Sequence, residues 1–505
     1  MLLEMAESEL MHKNFYTVCR AGFADDVVFI RQTDDRPDIY YSDLHAQSGR
    51  IANHLTELGL TKGDRVMVQV EKSPQNLFWY FACLRAGLIY LPLNTAYLEH
   101  EIEYFVSDAE PSLVLCDPQK QPLIDNFASC PVHTLDDQGC YSKELPTQTD
   151  FKDIECADDD IAAILYTSGT TGKPKGAMIT HANLLANSRS LSDAWQWQKE
   201  DVMLHALPVF HVHGLFVATH LPVINGSTII LLSKFKPDEV IRYLPESTVY
   251  MGVPTNYVRL LANPGFNQQA CKNMRLFTSG SAPLLVQTFD EFQNRTSHTI
   301  VERYGMTETG MNTSNPIDGE RKPGAVGKPL AGVEVRILDD DDNPVTDASP
   351  GNLQVRGKNV FKGYWRLPEK TAEEFTEDGF FRTGDIASLD QDGYIAIMGR
   401  DKDLIISGGL NIYPKEIEAV IDKIPGVLES AVIGLPHPDF GEAVTAIVVA
   451  EENRKDLTES SIISQLKSQI AGFKVAKQVH FVNELPRNTM GKVQKNILRE
   501  KLNPQ

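Results

Sequence analysis

At 505 residues the chain is too long for one ordinary hydrophobic core, so two or three domains are expected. A formal net charge of −20 argues against nonspecific nucleic-acid binding, and 42% hydrophobic with 23% charged residues, free of low-complexity tracts, is the composition of a globular protein. The charge is uneven: residues 401–505 hold 13 Lys+Arg against 14 Asp+Glu, so the first 400 carry nearly all the excess and the C-terminal part repels a polyanion less. Seven cysteines (Cys19, Cys83, Cys116, Cys130, Cys140, Cys156, Cys271), odd in number and without a C-x-x-C pair, fit reduced thiols better than a disulfide framework or a zinc site. The N-terminus lacks a basic n-region and a long apolar h-region, and no stretch approaches the ~18 apolar residues of a membrane span. A soluble, cytoplasmic protein is expected.

Residues 42–59 predict an amphipathic helix, with Ser42 as N-cap, Leu44, Ile51, Leu55 and Leu58 near helical spacing, and Gly59 as the stop. Val66 to Val70 alternates as a strand, and Ser73-Pro74 caps a second helix running to Gly87. A third unit follows, with a helix over Glu99 to Ser107, Pro111 as breaker and the strand Leu113 to Cys116. Strands alternating with helices of this length predict an α/β fold with largely parallel sheet. Residues 117–157 are polar and carry no clear assignment, and no internal repeat is present.

The apolar run Ile161 to Leu165 reads as a buried strand that breaks into Tyr-Thr-Ser-Gly-Thr-Thr-Gly-Lys-Pro-Lys-Gly176. Backbone N–H groups freed by Gly169 and Gly172, with the hydroxyls of Thr167, Ser168, Thr170 and Thr171, suit a polyphosphate, and Lys173 and Lys175 supply countercharge. It is not a Walker A loop, because Pro174 follows the lysine. A flexible surface loop would also carry glycines, but not four hydroxyls and two lysines packed this tightly behind a core strand.

A predicted helix over Thr180 to Asp193 leads to Phe210-His-Val-His-Gly214. Two histidines one residue apart invite a zinc reading, but no third ligand stands near in sequence. Residues 274–283 place Arg275 ahead of a small-residue turn, Ser279-Gly280-Ser281-Ala282. Asp378 to Asp385 closes a glycine-containing turn with an aspartate, a good acceptor for ribose hydroxyls and equally at home in a surface turn. The charged run Gly399-Arg-Asp-Lys-Asp403 is linker-like between two apolar stretches and divides the chain into residues 1–399 and 400–505. Beyond it, helix (Pro414 to Ile424), strand (Ser430 to Leu435), strand (Ala443 to Ala450), helix (Ser460 to Ile470) and strand (His480 to Val482) suit a small α/β lid.

The loop at 165–176, the segment Glu302 to Glu308, Asp385, the run at 399–411 and Pro486-x-x-x-x-Gly-Lys492 together resemble the adenylate-forming superfamily over nearly the whole chain. Acyl-CoA synthetases, firefly-type luciferases and peptide-synthetase adenylation domains belong to it. The resemblance implies a large multi-subdomain N-terminal AMP-binding domain and a small C-terminal lid. It implies a two-step ligation in which a carboxylate attacks the α-phosphate of Mg·ATP and a thiol then displaces AMP. It places Gly280, Ser281 and Ala282 against adenine, with Tyr304 stacked on the ring, within a nucleotide-binding run of Glu302, Arg303, Tyr304, Gly305, Met306 and Thr307. Thr307 contacts the α-phosphate, Glu308 and Thr170 hold Mg²⁺, Asp385 binds the ribose, and Arg400 reaches the nucleotide. His211 lines the acyl pocket as a catalytic residue, Asp401 is the hinge, and Ser407, Gly408 and Gly409 close near the thiol of coenzyme A. Lys492 is the catalytic lysine of the first step, delivered by lid motion. Its Pro486-x-x-x-x-Gly-Lys492 context also resembles that in which such synthetases are switched off by a lysine acetyltransferase.

Within the family, Tyr90 to Tyr97, His211 to Phe216, Met274 to Phe277 and Met306 to Thr313 look like malonyl-CoA synthetases. A short dicarboxylate needs a cation for its second charge, since burying a carboxylate unpaired costs several kcal/mol. Arg275 is expected to supply that cation as a fork of donors, with His213 and Ser279 beside it. Gly310 departs from the family form, where a polar residue often stands, leaving malonate and substituted malonates undivided. A CoA ligase for another short or aromatic acid, and a free-standing module loading a carrier protein, are the alternatives.

Overall fold

The computed structural model describes residues 14–33, 36–167, 174–345, 347–407, 410–437, 441–451, 454, 456–470, 472–489 and 491–503. Short apolar runs behind glycine- and proline-rich turns form two mostly parallel sheets. In the nine-stranded sheet, Val28–Arg31, Thr228–Leu231, Val202–His205, Val249–Gly252, Leu276–Ser279 and Ile300–Met306 run parallel side by side, and antiparallel strands close both edges. The seven-stranded sheet has Ile161–Thr167, Ile89–Pro92, Arg65–Gln69, Leu113–Cys116 and Val132–Thr134 in parallel, with Lys175–Thr180 turned back on Ile161–Thr167. Both sheets therefore offer the carboxyl ends of parallel strands, where open α/β sheets bind ligands.

Between the sheets the helices are buried on nearly every face. In Pro74–Arg85 the Ser73 side chain accepts from the Asn76 N–H at 3.2 Å, Pro74 occupies the first turn, and every residue but Gln75 is buried. Arg85 goes inside with its donors answered: Nε meets Asp153 Oδ1 at 2.6 Å, Nη1 donates to His45 O and Ser48 Oγ, and Nη2 donates to Phe151 O. The expected helices and strands fall within a few residues of the observed Tyr41–Glu57, Arg65–Gln69, Glu99–Ala109, Leu113–Cys116 and His181–Ala194. The unassigned polar stretch holds a short helix, Gln121–Ile124, and the edge strand Val132–Thr134.

Two features departed from the sequence reading. After Val202–His205 the chain forms a π-helix, His213–Thr219, permitted by Gly214, where a Cβ would lie 1.9 Å from Pro208 O. Asp385 does not close a turn. It lies in strand Phe381–Leu389 of a four-stranded antiparallel sheet, in a bulge where Thr383, Gly384 and Asp385 face Leu353 alone. Gly384 supplies the φ of +65° that such a bulge requires.

That antiparallel sheet ends at Arg400, a 3₁₀ turn follows over Asp401–Asp403, and a separate five-stranded sheet begins at Ile405. The last sheet buries its own cluster, including Ile405, Ile412, Ile417, Val432, Val444 and Leu466, so the C-terminal unit has a core independent of the body. No helix among the described residues is long and apolar enough to cross a membrane.

Candidate active site

The carboxyl ends of both parallel sheets, the antiparallel sheet and the C-terminal unit converge on one cleft. From the seven-stranded sheet comes the Thr167–Lys175 hairpin, whose connecting residues Ser168, Gly169, Thr170, Thr171, Gly172 and Lys173 lie outside the described residues. At its mouth the Thr167 hydroxyl reaches Glu308 Oε1 at 3.4 Å, and the Tyr364 hydroxyl donates to the same oxygen at 3.1 Å. Lys175 lies over the Tyr364 ring, Nζ 4.1 Å from its centroid. Burial raises the Glu308 carboxyl above the usual range, with Lys175 and Arg400 acting against that shift. Such a carboxylate has reason to take a cation. Among the described residues no cluster of three His, Cys, Asp or Glu could hold a metal, which leaves His211 and His213 without a zinc site.

Tyr304 and Asp385 meet directly: the Tyr304 hydroxyl donates to Asp385 Oδ2. Arg400 Nε contacts Asp385 Oδ1 at 2.6 Å, and Asp385 is 3% exposed. Thr307 sits in the turn between Ile300–Met306 and Gly310–Ser314, and Gly305 lets those strands close, since a Cβ there would stand 2.1 Å from Gly310 O. Gly310 has φ +58° and a Cβ would meet Asn187 Oδ1 at 2.8 Å, which explains glycine at that place. The Glu302 carboxyl is buried, pushed up to about 8 by desolvation, and accepts from the Gly324 N–H at 3.0 Å, so the side chain anchors the scaffold.

Arg275 is also corrected. It precedes strand Leu276–Ser279 and thus stands at the amino end, about 13 Å from the carboxyl end at ~3.3 Å per residue. Its Nε and Nη2 fork is closed on Asp201, with Nε to Oδ1 at 2.7 Å, and Nη1 donates to Trp195 O at 3.0 Å. An arginine with an open fork is Arg303, which lies against Gly280. It is 3% exposed, and its Nε and Nη2 are buried without a hydrogen-bond partner among the described residues. Gly280 makes room for it: a Cβ there would lie 2.4 Å from the guanidinium carbon. His213 is fully enclosed and held well below the usual imidazole range by burial, with Arg303 adding to the effect. Its Nδ1 lies 3.4 Å from Ser281 Oγ, while Nε2 is unpartnered, as are His211 Nε2 and Ser279 Oγ. Ser281 adopts φ +70°, a left-handed conformation unusual for serine, and Ala282 follows it in the same turn.

Lys492 comes from the C-terminal unit on a hairpin, with Asn488 N–H donating to Lys492 O and Lys492 N–H to Asn488 Oδ1, both at 2.9 Å. Its side chain keeps open surface but is crowded by protein on most sides. Desolvation and Arg400 push its ammonium down to about 8, with Asp385 opposing. Ser407 lies in the strand ladder of the C-terminal unit, opposite Leu410 and Gly441, and Gly408 and Gly409 lie outside the described residues. Beside the cleft a cavity of about 390 Å³ is lined by Lys72, Tyr90, Phe210, Val253, Arg259 and Gly491, among others. Lys72 was not singled out in the sequence. Its buried Nζ donates to His205 O at 2.8 Å and lies 3.0 Å from His205 Nδ1, the acceptor nitrogen, since Nε2 is bonded to Gly214 O.

The AMP-binding enzyme model matches residues 18–365 and the AMP-binding enzyme C-terminal domain matches residues 416–492. A probable CoA ligase, CCL8, of Humulus lupulus is 36% identical over 497 residues, covering 90% of this chain and 82% of that protein. A malonate–CoA ligase of Arabidopsis thaliana is 34% identical over 508 residues, covering 92% and 83%. Crystal structures of MatB from Rhodopseudomonas palustris share 49% identity and cover 97% of this chain and 99% of theirs, with TM-scores of 0.94 for the ATP-bound and 0.85 for the apo form.

Because Arg275 holds Asp201, replacing it should cost stability and leave acid choice untouched. Arg275→Met strands a carboxylate whose side chain is 2% exposed but which keeps Thr248 Oγ1 and Gln198 N–H as donors. We expect a loss of about 2–3 kcal/mol in urea unfolding, with the preferred acid unchanged in a turnover assay.

Proposed function

The chain belongs to the AMP-binding enzyme family, and from that premise we propose that it ligates malonate to coenzyme A through a malonyl-adenylate. The observation that carries the substrate is the open fork of Arg303. Its Nε and Nη2 are the adjacent pair that clasps a carboxylate side-on, and among the described residues they have no partner. Burying donors without acceptors is unfavourable, and the distal carboxylate of a short diacid answers both. His213 Nε2 and Ser279 Oγ are also without a partner among the described residues and could serve as further polar contacts. An apolar monoacid would leave all of them unanswered.

In the first step one malonate carboxylate oxygen attacks the α-phosphorus of ATP, the new C–O–P link forms, and pyrophosphate leaves. Lys492 and Arg400 place positive charge at the Asp385 end of the cleft, where the α-phosphate would lie if Asp385 takes the ribose hydroxyls. Glu308, with Thr170 on the phosphate loop, is the group to hold Mg²⁺, and a single protein carboxylate suits a magnesium that keeps waters and phosphate oxygens. When bound, that ion supplies charge neutralisation on the triphosphate. The C-terminal unit then turns about Asp401, withdrawing Lys492 and bringing Ser407, Gly408 and Gly409 toward the thiol, which displaces AMP. Seven free thiols suit a reducing compartment such as the cytosol.

The test is AMP and pyrophosphate release with Mg·ATP and CoA across malonate, methylmalonate, succinate, acetate, propionate and benzoate. Malonate should lead, and Arg303→Met should lower its kcat/KM at least a hundredfold while lowering propionate less than tenfold; equal losses would remove Arg303 from acid recognition. Lys492 must carry its charge to act, and a lowered pKa means that charge is complete well below pH 8 and lost above it. The kcat/KM of adenylation should therefore fall as pH rises through about 8, and Lys492→Arg should flatten that limb, since kcat/KM reports the free enzyme. A proton-exposed amine of this kind also suits an acetyltransferase: incubation with one and acetyl-CoA should add a single acetyl group at Lys492 and abolish adenylation, with thiolysis of supplied malonyl-AMP preserved.

A further inference from the structure

Among the described residues, the tip of the hairpin bearing Lys492 meets the body at Asn94 and at Thr255, which follow strands of different sheets. Asn94, just past strand Ile89–Pro92, directs Nδ2 to Thr489 Oγ1 at 3.4 Å. Thr255, in the first turn of helix Pro254–Leu261, lies so close that a Cβ on Gly491 would stand 2.9 Å from its Oγ1. Asn94 is itself held rigidly. Its Oδ1 accepts from the Ala96 N–H at 3.0 Å, which fixes the amide so that Nδ2 faces the hairpin, and its carbonyl accepts from Gln69 Nε2 at 2.8 Å. Lys120 Nζ ties down the next carbonyl, Thr95 O, at 2.5 Å.

On the other side of the contact the hairpin is closed on itself. Gly491 N–H donates to Asn488 O at 2.9 Å, Arg487 Nη1 donates to Gly491 O at 2.5 Å, and Arg487 Nη2 pairs with Glu429 of the C-terminal unit's own sheet. Gly491 has φ +76°, a conformation glycine adopts freely. Two stiff pieces thus meet, and where they meet sets where the next residue, Lys492, arrives.

We propose that Asn94 and Thr255 are positioning residues for acyl-adenylate formation, docking the hairpin tip through Thr489 and Gly491 and so fixing Lys492 in the cleft. The inference rests on the ligase reading above. Because the contacts exist only while the hairpin is seated, they weight that arrangement by their own free energy and nothing more. They act in the first half-reaction and have no part in the second, when the C-terminal unit has turned.

The half-reactions separate the possibilities. Pyrophosphate release on mixing enzyme with Mg·ATP and malonate reads the first, and thioester formation from supplied malonyl-AMP and CoA reads the second. Asn94→Ala and Thr489→Val should each slow the first by about two- to tenfold, the range of one hydrogen bond, with the double variant no slower than the worse single. Gly491→Ala should slow it more than tenfold, and adding Thr255→Ala, which removes the atoms the new methyl meets, should restore part of the loss. All variants should run the second half-reaction at the wild-type rate, which also certifies their folding. Unchanged first half-reactions or parallel losses in both would overturn the docking role. A wild-type protein that releases no pyrophosphate with any acid would overturn the ligase reading instead.

Discussion

Asp385 sits where three pieces of the chain meet, and a carboxylate so enclosed must be answered by donors from its surroundings. Tyr304 brings a hydroxyl from the nine-stranded sheet and Arg400 brings a guanidinium from the last residue of the antiparallel sheet. A 3₁₀ turn begins at the next residue. One buried charge therefore links the nine-stranded sheet to the segment that leads into the C-terminal unit. Any hydroxyl that reaches Asp385 must share the carboxylate with these donors, so occupancy there is felt at Arg400. The bulge at Thr383 to Asp385 is what aims the carboxylate there, since a regular ladder would give this strand one residue opposite Leu353.

Two arginines mark how far residue patterns reach. Arg275 and Arg303 both flank the carboxyl-end turns of the same sheet in sequence, and both have the fork a carboxylate needs. Only the fold distinguishes them. Arg275 lies at the amino end of its strand and closes its fork on Asp201, a residue 74 positions earlier. Arg303 lies midway along its strand, one residue past the last pairing with Leu276–Ser279 and against Gly280, with the same two nitrogens lacking a partner among the described residues. The need for a cation was legible from the chemistry of a diacid; which arginine keeps an open fork was not.

Local signals carried most of the architecture. Caps such as Ser73-Pro74, stops such as Gly59, and apolar runs of strand length located helices and strands to within a few residues, because each is decided by neighbours in sequence. What escaped depends on distant partners. The π-helix at His213–Thr219 exists because Gly214 can lie on Pro208 O, and nothing in the run His-Val-His-Gly announces that extra residue per turn. The Lys72–His205 pair joins residues 133 positions apart. Glu302 reads as part of a nucleotide segment yet faces Gly324. Gly310 looked like a missing polar group, whereas its backbone angle and Asn187 leave little room for one.

The unanswered donors of Arg303 also bear on the lifetime of the protein. A native state that buries an open guanidinium fork is less stable than the same state with an anion in place, while the unfolded chain gains nothing from the anion. By mass action a ligand at a hundred times its dissociation constant adds about 2.7 kcal/mol to the unfolding free energy. On the proposed reading, in which Arg303 takes the distal carboxylate, the substrate is in this sense a component of the folded structure. Resistance to heat and to proteases should then track the supply of diacid, and the enzyme persists longest where it has work to do.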